Sequence, residues 1–483
     1  MLTTIAQLIP GAAYIAATFL FMYGLKRMSS PVSAPAGIRL AGVGMLVAVL
    51  ASFFDVFGVS PAAKPHLMVN IAIAVAALVI GGGAAWWKGR KVKMTAMPQM
   101  VALYNGMGGG AAGAIAAVEL FDSQSQGISR LIVTLAGAII GAVSLSGSVI
   151  AWAKLDEIMK KPWRFKGQNI VNIFAALVTL AVGAYLVLAM QGVLVPLIST
   201  QALIYLFFGC ALVFGIMMTL PIGGADMPVV ISIYNACTGL AVGLEGFVLQ
   251  NPALMIAGMV VGAAGTLLTV LMAKSMNRSI GNVLFSDFGT VVEGKQGDMK
   301  GTLRPVAASD AGIFMRYAAS VIVIPGYGLA EAQAQQKLYE FVKLLLAAKV
   351  KVRFAIHPVA GRMPGQMDVL LAEAGVPYDL IFQLEDINDD FATTDVAFII
   401  GANDVVNPAA RTDKASPIYG MPILNADKAK HIYIIKRGQG VGYAGIQNQL
   451  FYDPNCEMVY GDAQAVLIKM IESVRGLGAA VAA

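Results

Sequence analysis

Nine apolar runs, each of about twenty residues, fill most of the first 275 residues and limit what this chain can fold into. They lie near residues 5–24, 38–57, 67–87, 98–121, 128–152, 169–190, 202–220, 227–249 and 252–273. A helix of about 20 apolar residues crosses the roughly 30 Å hydrocarbon core of a bilayer. The sequence therefore predicts a polytopic α-helical membrane bundle of about nine transmembrane helices.

Charged residues are unevenly distributed and predict a second, soluble part. Residues 1–274 contain 15 Lys and Arg against 7 Asp and Glu, whereas residues 275–483 contain 19 against 21. We predict a transmembrane domain over 1–275, a linker over 276–305 and a soluble domain over 306–483. The net charge of +6 comes from the membrane flanks, so no nucleic-acid partner is predicted. The three cysteines match no disulfide or zinc pattern, and no metal site is predicted.

The basic residues beside the runs predict the orientation of the bundle. If the runs cross the membrane alternately, most of these residues fall on one side: Lys26, Arg27, Arg39, Lys88, Arg90, Lys91, Lys93, Lys154, Lys160, Lys161, Arg164, Lys166 and Lys274. Only Lys64 and Arg130 fall on the other side. The positive-inside rule makes the basic side cytoplasmic. An odd number of spans then places the N-terminus outside and the C-terminal domain in the cytoplasm.

Two asparagines inside the apolar runs are candidate proton-path residues. Asn105 and Asn235 each lie in a predicted helix that enters the membrane from the cytoplasmic side. A polar side chain inside the bilayer is energetically costly unless it faces a neighbouring helix or a water-filled cavity. Glu119 and Glu245 lie farther along the same two helices. All three histidines lie outside the spans, so a proton path would have to use carboxylates, amides and hydroxyls such as that of Ser144. The alternatives stay open. The asparagines would form hydrogen bonds between helices, the serines would pack in a small-residue helix interface, and both glutamates would lie at the outer headgroup boundary.

Glycines follow both asparagines at four-residue spacing. Gly109 and Gly113 follow Asn105, and Gly239 and Gly243 follow Asn235. This spacing permits close backbone approach between helices. We expect the two helices to present facing amides.

Beyond residue 306, apolar strands alternate with amphipathic stretches, a pattern that predicts an α/β doubly wound (Rossmann-like) domain. The predicted strands are SVIVIP, KVRFAI, YDLIFQ, VAFIIG, HIYIIK and EMVYG. Gly326 and Gly328 follow the first strand and precede a helical stretch from Ala330 to Ala348, which is the context of a pyrophosphate-binding turn. Glu331 replaces the usual third small residue of that turn and is unfavourable beside a phosphate.

Two features favour NADP(H) over NAD(H) at this site. The second strand ends in HPVAGR, residues 357–362, without the carboxylate that binds the ribose hydroxyls of NAD. Lys436 and Arg437 end another strand and suit a 2′-phosphate, although a solvated strand end is the alternative. GANDVVNP, residues 401–408, adds Asn403 and Asp404 at a further strand end, either as a ligand-binding turn or as a tight connection.

Long segments along almost the whole chain resemble the beta subunit of the proton-translocating NAD(P) transhydrogenase. They include MPQMVALYN, GGADMPVVISIYN, AKSMNRS, PGYGLA, AIHPVAGRMPGQMDVLLAEAGVPYD, INDDF, IGANDVVNPAA, KRGQGVGYAG and YGDA. The resemblance implies an enzyme subunit in a bacterial inner membrane that binds NADP(H) and exchanges hydride with NAD(H) on a partner, coupled to proton translocation. It implies no catalytic side chain, because hydride passes directly between cofactors. A nucleotide-gated channel or transporter is the alternative.

The resemblance also implies site residues and partners. The residues implied to line NADP(H) are Gly326, Tyr327, Gly328, Leu329, Ala330, His357, Val359, Ala360, Gly361, Arg362, Gly401, Ala402, Asn403, Asp404, Asn407, Lys436, Arg437, Tyr443, Ala444 and Gly445. Asp404 is implied as a sensor of protonation or redox state, and Asp226 lies at the cytoplasmic mouth of the proton path with Asn105 and Asn235 beyond it. Some relatives have His in place of Asn105. The implied partners are alpha subunits with the NAD(H) site and further transmembrane helices, in a dimeric complex.

Overall fold

The structure is a computed structural model that describes residues 2–30, 33–57, 66–122, 127–159, 163–223, 226–277, 279–285, 301–363, 365–414, 416–438, 440–442 and 444–482. The described residues form two compact units, one built mostly from the N-terminal helices and one from the C-terminal part of the chain.

Long apolar helices make up the N-terminal unit, as the sequence predicted. The described residues contain nine helices long and apolar enough to cross a membrane. They are α1 (Leu2–Met28), α2 (Ala34–Phe57), α3 (Leu67–Lys91), α4 (Met97–Phe121), α5 (Ile128–Leu155), α6 (Gln168–Met190), α7 (Thr200–Thr219), α8 (Met227–Val248) and α9 (Pro252–Ser275). Several extend beyond the apolar run into its basic flank; α3, for example, includes Lys88, Arg90 and Lys91 in its last turn. A basic side chain there also opposes the partial negative charge of the helix C-terminus.

The glycines after the two asparagines do bring backbones together, but with helices that the sequence did not identify. A side chain on Gly109 of α4 would meet Ser144 and Gly141 of α5, and one on Gly141 would meet the Gly113 backbone. On α8, side chains on Gly239 and Gly243 would meet the backbone of α9 around Gly258 and Gly262. The glycine faces therefore join α4 to α5 and α8 to α9, and do not pair α4 with α8.

The C-terminal part is an α/β structure with short helices around one sheet. Its helices are α10 (Ile280–Phe285), α11 (Ala308–Tyr317), α12 (Tyr327–Glu331), α13 (Gln335–Ala347), α14 (Gln366–Glu373), α15 (Leu384–Ile387), α16 (Ala409–Thr412) and α17 (Ala463–Ala482). Its strands are β1 (Ser320–Pro325), β2 (Lys351–Ile356), β3 (Ile381–Gln383), β4 (Val396–Ile400), β5 (His431–Lys436) and β6 (Cys456–Tyr460). Helix α10 lies inside the predicted linker.

The six described strands pair in parallel in the order β3-β2-β1-β4-β5-β6. Strands β1 and β4 are buried almost throughout, which explains their unbroken apolar sequences. The order reverses between β1 and β4, and the carboxyl ends of a doubly wound sheet flank the ligand crevice at this reversal. The predicted fold class is confirmed.

The helix predicted from Ala330 to Ala348 is interrupted. Helix α12 ends after one turn, where Gln333 has a φ of 50°. The Ala334 and Gln333 amides donate to the Leu329 and Ala330 carbonyls, which is the Schellman pattern of a helix end. Helix α13 then begins at Gln335 and buries Leu338, Phe341, Val342 and Leu345 on one face. The prediction was wrong here because a non-glycine residue in the left-handed conformation has no clear sequence signature.

Candidate functional site

The turns after β1 and β4 are in backbone contact at the reversal of strand order. The Gly326 amide donates to the Ile400 carbonyl over 2.9 Å, and the Gly328 amide donates to the Gly401 carbonyl over 3.0 Å. A side chain on Gly326 would collide with Gly401 and Ala402, and one on Gly328 would lie 2.7 Å from the Gly401 α-carbon. The absence of a side chain on Gly326 and Gly328, which was predicted to make room for a pyrophosphate, therefore makes room for the turn after β4.

The loop after β2 meets the β1 turn through two side chains. The guanidinium carbon of Arg362 lies 4.4 Å from the centre of the Tyr327 ring, a cation–π contact. The Arg362 amide donates to Gln366 Oε1 over 2.6 Å, and Gly361 has a φ of 106°. Tyr327 and Arg362, both predicted to be cofactor residues, are thus neighbours at the sheet edge.

His357 is a buried ring that joins the end of β2 to a distant segment. It is 1% exposed, its Nε2 lies 2.7 Å from the Pro422 carbonyl oxygen, and the Val359 amide donates to its Nδ1 over 3.2 Å. These two bonds fit a neutral ring that carries its proton on Nε2. Burial lowers the pKa of His357 to about 4, with the Pro422 hydrogen bond opposing the shift. His357 is therefore a neutral structural group near pH 7.

We expect the C-terminal domain to lose stability in mild acid because of His357. The folded pKa lies below the unfolded value, so the stabilisation is complete above pH 6.5 and is lost as the pH falls to about 4. The loss is about 3 kcal/mol. Hydrogen exchange of β2 amides in the full chain, corrected for intrinsic rates, measures it. His357→Gln should flatten this profile and His431→Gln, at an exposed position, should not; parallel profiles for His357→Gln and the parent would contradict the assignment.

Three side chains bind the segment after β5 to the end of β4. Asp404 Oδ2 accepts from the Ala444 amide over 2.9 Å, and the Asn407 amide group donates to the Gln447 carbonyl over 3.0 Å. Asn448 donates to the Asn403 carbonyl over 2.9 Å. Asn407 is fully buried, and its Oδ1 also accepts from the Ala409 amide. GANDVVNP is thus the anchor for the segment around residues 440–448; Tyr443 lies outside the described residues.

The two cations after β5 have different surroundings. Lys436 is half-buried, with Nζ 4.4 Å from the centre of the Phe451 ring, and burial lowers its pKa while Asp404 opposes the shift. It lines an open cavity with Asn403 and Asn448. Arg437 is exposed and ion-paired with Glu331 at 2.7 Å, a bond that raises the pKa of Arg437. Glu331 therefore turns away from the turn and towards β5.

A second polar cluster lies among α4, α5 and α8. The Ser144 and Thr238 hydroxyls are 2.5 Å apart. Ser144 also donates to the backbone carbonyl of Tyr234, and Thr238 donates to the backbone carbonyl of Asn105 over 3.3 Å. The side-chain nitrogen of Asn105 is buried and has no hydrogen-bond partner within the described ranges. Asn235 is half-buried, one turn before Thr238. Ser144 thus joins helices, whereas Ser146 bonds to the Ala142 carbonyl of its own helix.

The same cluster continues towards the C-terminal end of α7. The Tyr234 hydroxyl is 2.5 Å from the Thr219 hydroxyl, and both residues are fully buried. Lys154 donates to the Thr219 and Leu220 carbonyls over 2.8 and 2.6 Å. A cation on the last carbonyls of a helix opposes their partial negative charge.

The three candidate carboxylates occupy different environments. Glu119 is ion-paired with Arg130 at 3.0 Å and is partly exposed. Glu245 is fully buried against Gly137 of α5. Asp226 is fully buried just before α8 begins.

Comparison with known proteins decides the family. A family model described as NAD(P) transhydrogenase beta subunit matches residues 11–473. The chain belongs to this family. It is also similar to two curated proteins named NAD(P) transhydrogenase subunit beta, one from Rhodospirillum rubrum and one from a defined strain of that species. Each is 42% identical over 477 residues, which cover 96% of this chain and 98% of the relative.

Membership of the transhydrogenase beta subunit family confirms the resemblance drawn from the motifs. The family name describes one subunit of an oxidoreductase complex that uses NAD(P)(H), and a beta subunit implies an alpha subunit as partner. The described apolar helices are those of a membrane protein.

Sequence reasoning missed several residues that contact the candidate site residues. They are Thr238, Tyr234 and Thr219 in the bundle, and Asn448 and Phe451 beside the sheet. Thr238 follows Asn235 by three residues and so shares its helix face, a signal that was available. Asn448 and Phe451 come from a segment with no motif, and only the fold brings them to β4 and β5.

Proposed function

We propose that this chain binds NADP(H) at the carboxyl edge of its sheet and forms part of a proton path through its helices. The NAD(H) site is assigned to alpha subunits, which would also add transmembrane helices in a dimeric complex. The observation that carries the proposal is the reversal of strand order between β1 and β4, with all the motif loops at that edge. A doubly wound sheet binds dinucleotides in this crevice.

The residues at the edge fit NADP(H) in charge. The open cavity has Lys436 in its wall, and no carboxylate follows β2 between His357 and Arg362. A half-buried lysine suits a phosphate, whereas a site for unphosphorylated ribose would offer an acid. The turns after β1, β2 and β4 and the segment around residues 440–448 would hold the rest of the dinucleotide through the other cofactor residues named above, while His357 fixes the loop after β2.

Bound NADP(H) supplies the hydride chemistry, because its nicotinamide accepts and releases hydride without a protein nucleophile. The side chains of this domain then have three tasks: they bind, they orient and they exclude water. Asp404, Asn407 and Asn448 fix the segment after β5, and the neutral His357 ring fixes the loop after β2. The fixed loops keep the site in one geometry, as alignment of two cofactors requires.

The proton path is assigned to six polar groups of the bundle: Asp226, Asn105, Asn235, Ser144, Glu119 and Glu245. Thr238 donates to the backbone carbonyl of Asn105 and lies at hydrogen-bond distance from Ser144, and this proximity of Asn105, Thr238 and Ser144 supports it. One proton that moves down 100 mV releases about 2.3 kcal/mol, enough to bias hydride transfer between cofactors of similar potential. We assign the coupling to a reciprocal effect of protonation on NADP(H) binding.

We further propose a bacterial inner membrane location, with the N-terminus outside and the sheet in the cytoplasm. The distribution of Lys and Arg around the helices supports this orientation. Residues 1–275 are assigned to the proton-conducting domain, 276–305 to the linker and 306–483 to the NADP(H)-binding domain.

Reconstitution tests the proposed function. The chain and its alpha subunit are sealed in vesicles, and reduction of NADP by NADH is measured with and without a pH gradient. We expect the gradient to change the rate and hydride transfer to acidify or alkalise the lumen. Binding of NADP(H) without any hydride exchange would favour a nucleotide-gated channel or transporter instead.

Removal of the Glu331 carboxylate should tighten NADP(H) binding. Glu331 pairs with Arg437 and would compete with a 2′-phosphate for that guanidinium. Since exposed ion pairs contribute up to about 1 kcal/mol, we expect Glu331→Gln to lower the Kd for NADPH about fivefold. Titration calorimetry on the full chain measures the change. Glu472→Gln, at an exposed site on α17, is the control; unchanged affinity in Glu331→Gln would show that Arg437 is not a phosphate ligand.

A further inference from the structure

Glu245 is the one acidic residue of α8, and its carboxyl group is buried. The residue is 0% exposed, and neither carboxyl oxygen has a hydrogen-bond partner among the residues that the structure describes. A side chain on Gly137 of α5 would collide with Glu245 Oε1, so the carboxyl lies directly on the α5 backbone. A methyl group at position 137 would displace the Glu245 carboxyl.

The position belongs to a regular seam between α5 and α8. Ser144 contacts Thr238, and Gly137 contacts Glu245. Gly137 comes seven residues before Ser144 on α5, and Glu245 comes seven residues after Thr238 on α8, as expected for antiparallel helices. Seven residues are about two helical turns, or roughly 10.5 Å. The same seam begins at Gly147, where a side chain would meet the Tyr234 ring. Glu245 therefore continues the line of polar groups that contains Tyr234, Thr238 and Ser144.

The charged groups of the surrounding helices do not neutralise Glu245. Arg130, two turns towards the N-terminal end of α5, is ion-paired with Glu119 of α4. Lys154 lies at the other end of α5 and binds the carbonyls that end α7. Helix α9 has Lys274 as its one charged residue, in its last turn, and α7 has none. A buried carboxylate without a cation is far less stable than the protonated acid.

We propose that Glu245 is a proton-binding site of the bundle and carries its proton at rest, whereas Glu119 is ion-paired with Arg130. This inference rests on the proposed proton path and deepens it. One proton adds to the Glu245 carboxylate to form the acid, and the same O–H bond breaks when the proton leaves towards the opposite side. Nothing is oxidised or reduced in this step.

Infrared spectroscopy of the full chain in lipid tests the protonation state directly. A protonated acid gives a carbonyl stretching band that shifts on transfer to D₂O, and a carboxylate does not. We expect this band in the parent and in the control Glu472→Gln, its loss in Glu245→Gln, and a displaced band in Glu245→Asp and Gly137→Ala. A parent without the band overturns the proposal without the need for any variant. Loss of the band in Glu119→Gln, with its retention in Glu245→Gln, also overturns it.

Proton translocation by the complete complex in vesicles is the second readout. We expect Glu245→Gln to reduce it on the order of 100-fold, as removal of a proton-transfer group does. Translocation within twofold of the parent would refute the assignment. The two failures are distinguishable: a parent that shows the band but pumps no protons removes the proposed function, whereas a parent that pumps without the band removes only the role of Glu245.

Discussion

Gly401→Ala should disrupt the meeting point of the β1 and β4 turns and abolish NADP(H) binding. Gly401 has a φ of 67°, and a methyl group on it would lie 2.5 Å from both the Gly328 α-carbon and the Leu329 nitrogen. An alanine in the left-handed conformation costs about 1–2 kcal/mol, and the collision adds about 1–3 kcal/mol because the opposing atoms are backbone. We expect the β1 and β4 amides to lose about 3 kcal/mol of protection, measured by hydrogen exchange in the full chain.

Gly476→Ala is the matched control for this substitution. Gly476 lies inside α17, and a side chain there would meet nothing within 4 Å. Alanine is favoured over glycine in a helix by about 1 kcal/mol, so this variant should be as stable as the parent or slightly more so. If Gly401→Ala behaves like Gly476→Ala, the backbone contact between the two turns is not what holds the site together.

Lys436→Gln should remove most of the preference for the phosphorylated dinucleotide. Lys436 is half-buried in the wall of the cavity, so its charge is less screened than that of exposed Arg437. A hydrogen bond to a charged group contributes about 1.5–3 kcal/mol, which corresponds to a loss of affinity of roughly 10- to 100-fold for NADPH. Binding of NADH, which has no 2′-phosphate, should change little. Calorimetric titration of the full chain with both nucleotides measures the two values.

Lys469→Gln controls for the change in net charge. Lys469 is an exposed residue of α17, away from the carboxyl ends of the strands. It should leave the affinities for both nucleotides unchanged. An equal loss of NADPH and NADH affinity in Lys436→Gln would instead indicate that Lys436 contacts a part of the dinucleotide that both molecules share.

The sequence predicted the elements well because their signals are local. An apolar run of membrane length has one stable state in a bilayer, and strands buried on both faces, such as β1 and β4, are apolar throughout. Contacts between distant segments had no such signal. The Glu331–Arg437 ion pair spans the β4 strand, and nothing in either local sequence predicts it. The role of Gly326 and Gly328 as the seat of the β4 turn likewise depends on the strand order.

In the membrane part, the sequence located polar residues but not their partners. The four-residue glycine spacing predicted close helix contacts, yet it cannot specify which helix lies opposite, and α5 and α9 were the helices found. Glu119 and Glu245 look alike as single acids near helix ends. The structure separates them, because one has an arginine at hydrogen-bond distance and the other lies on a glycine.

The glycine contacts between α8 and α9 constrain how the bundle can move. The backbones meet at Gly239 and Gly262, at Gly243 and Gly258, and at Gly246 and Met255. To slide one helix along the other would drive main-chain atoms into each other at all three levels, since no flexible side chain separates them. Any conformational change that displaces α8 must therefore carry α9 with it as a rigid pair, and its freedom lies in tilting or rotating against α5.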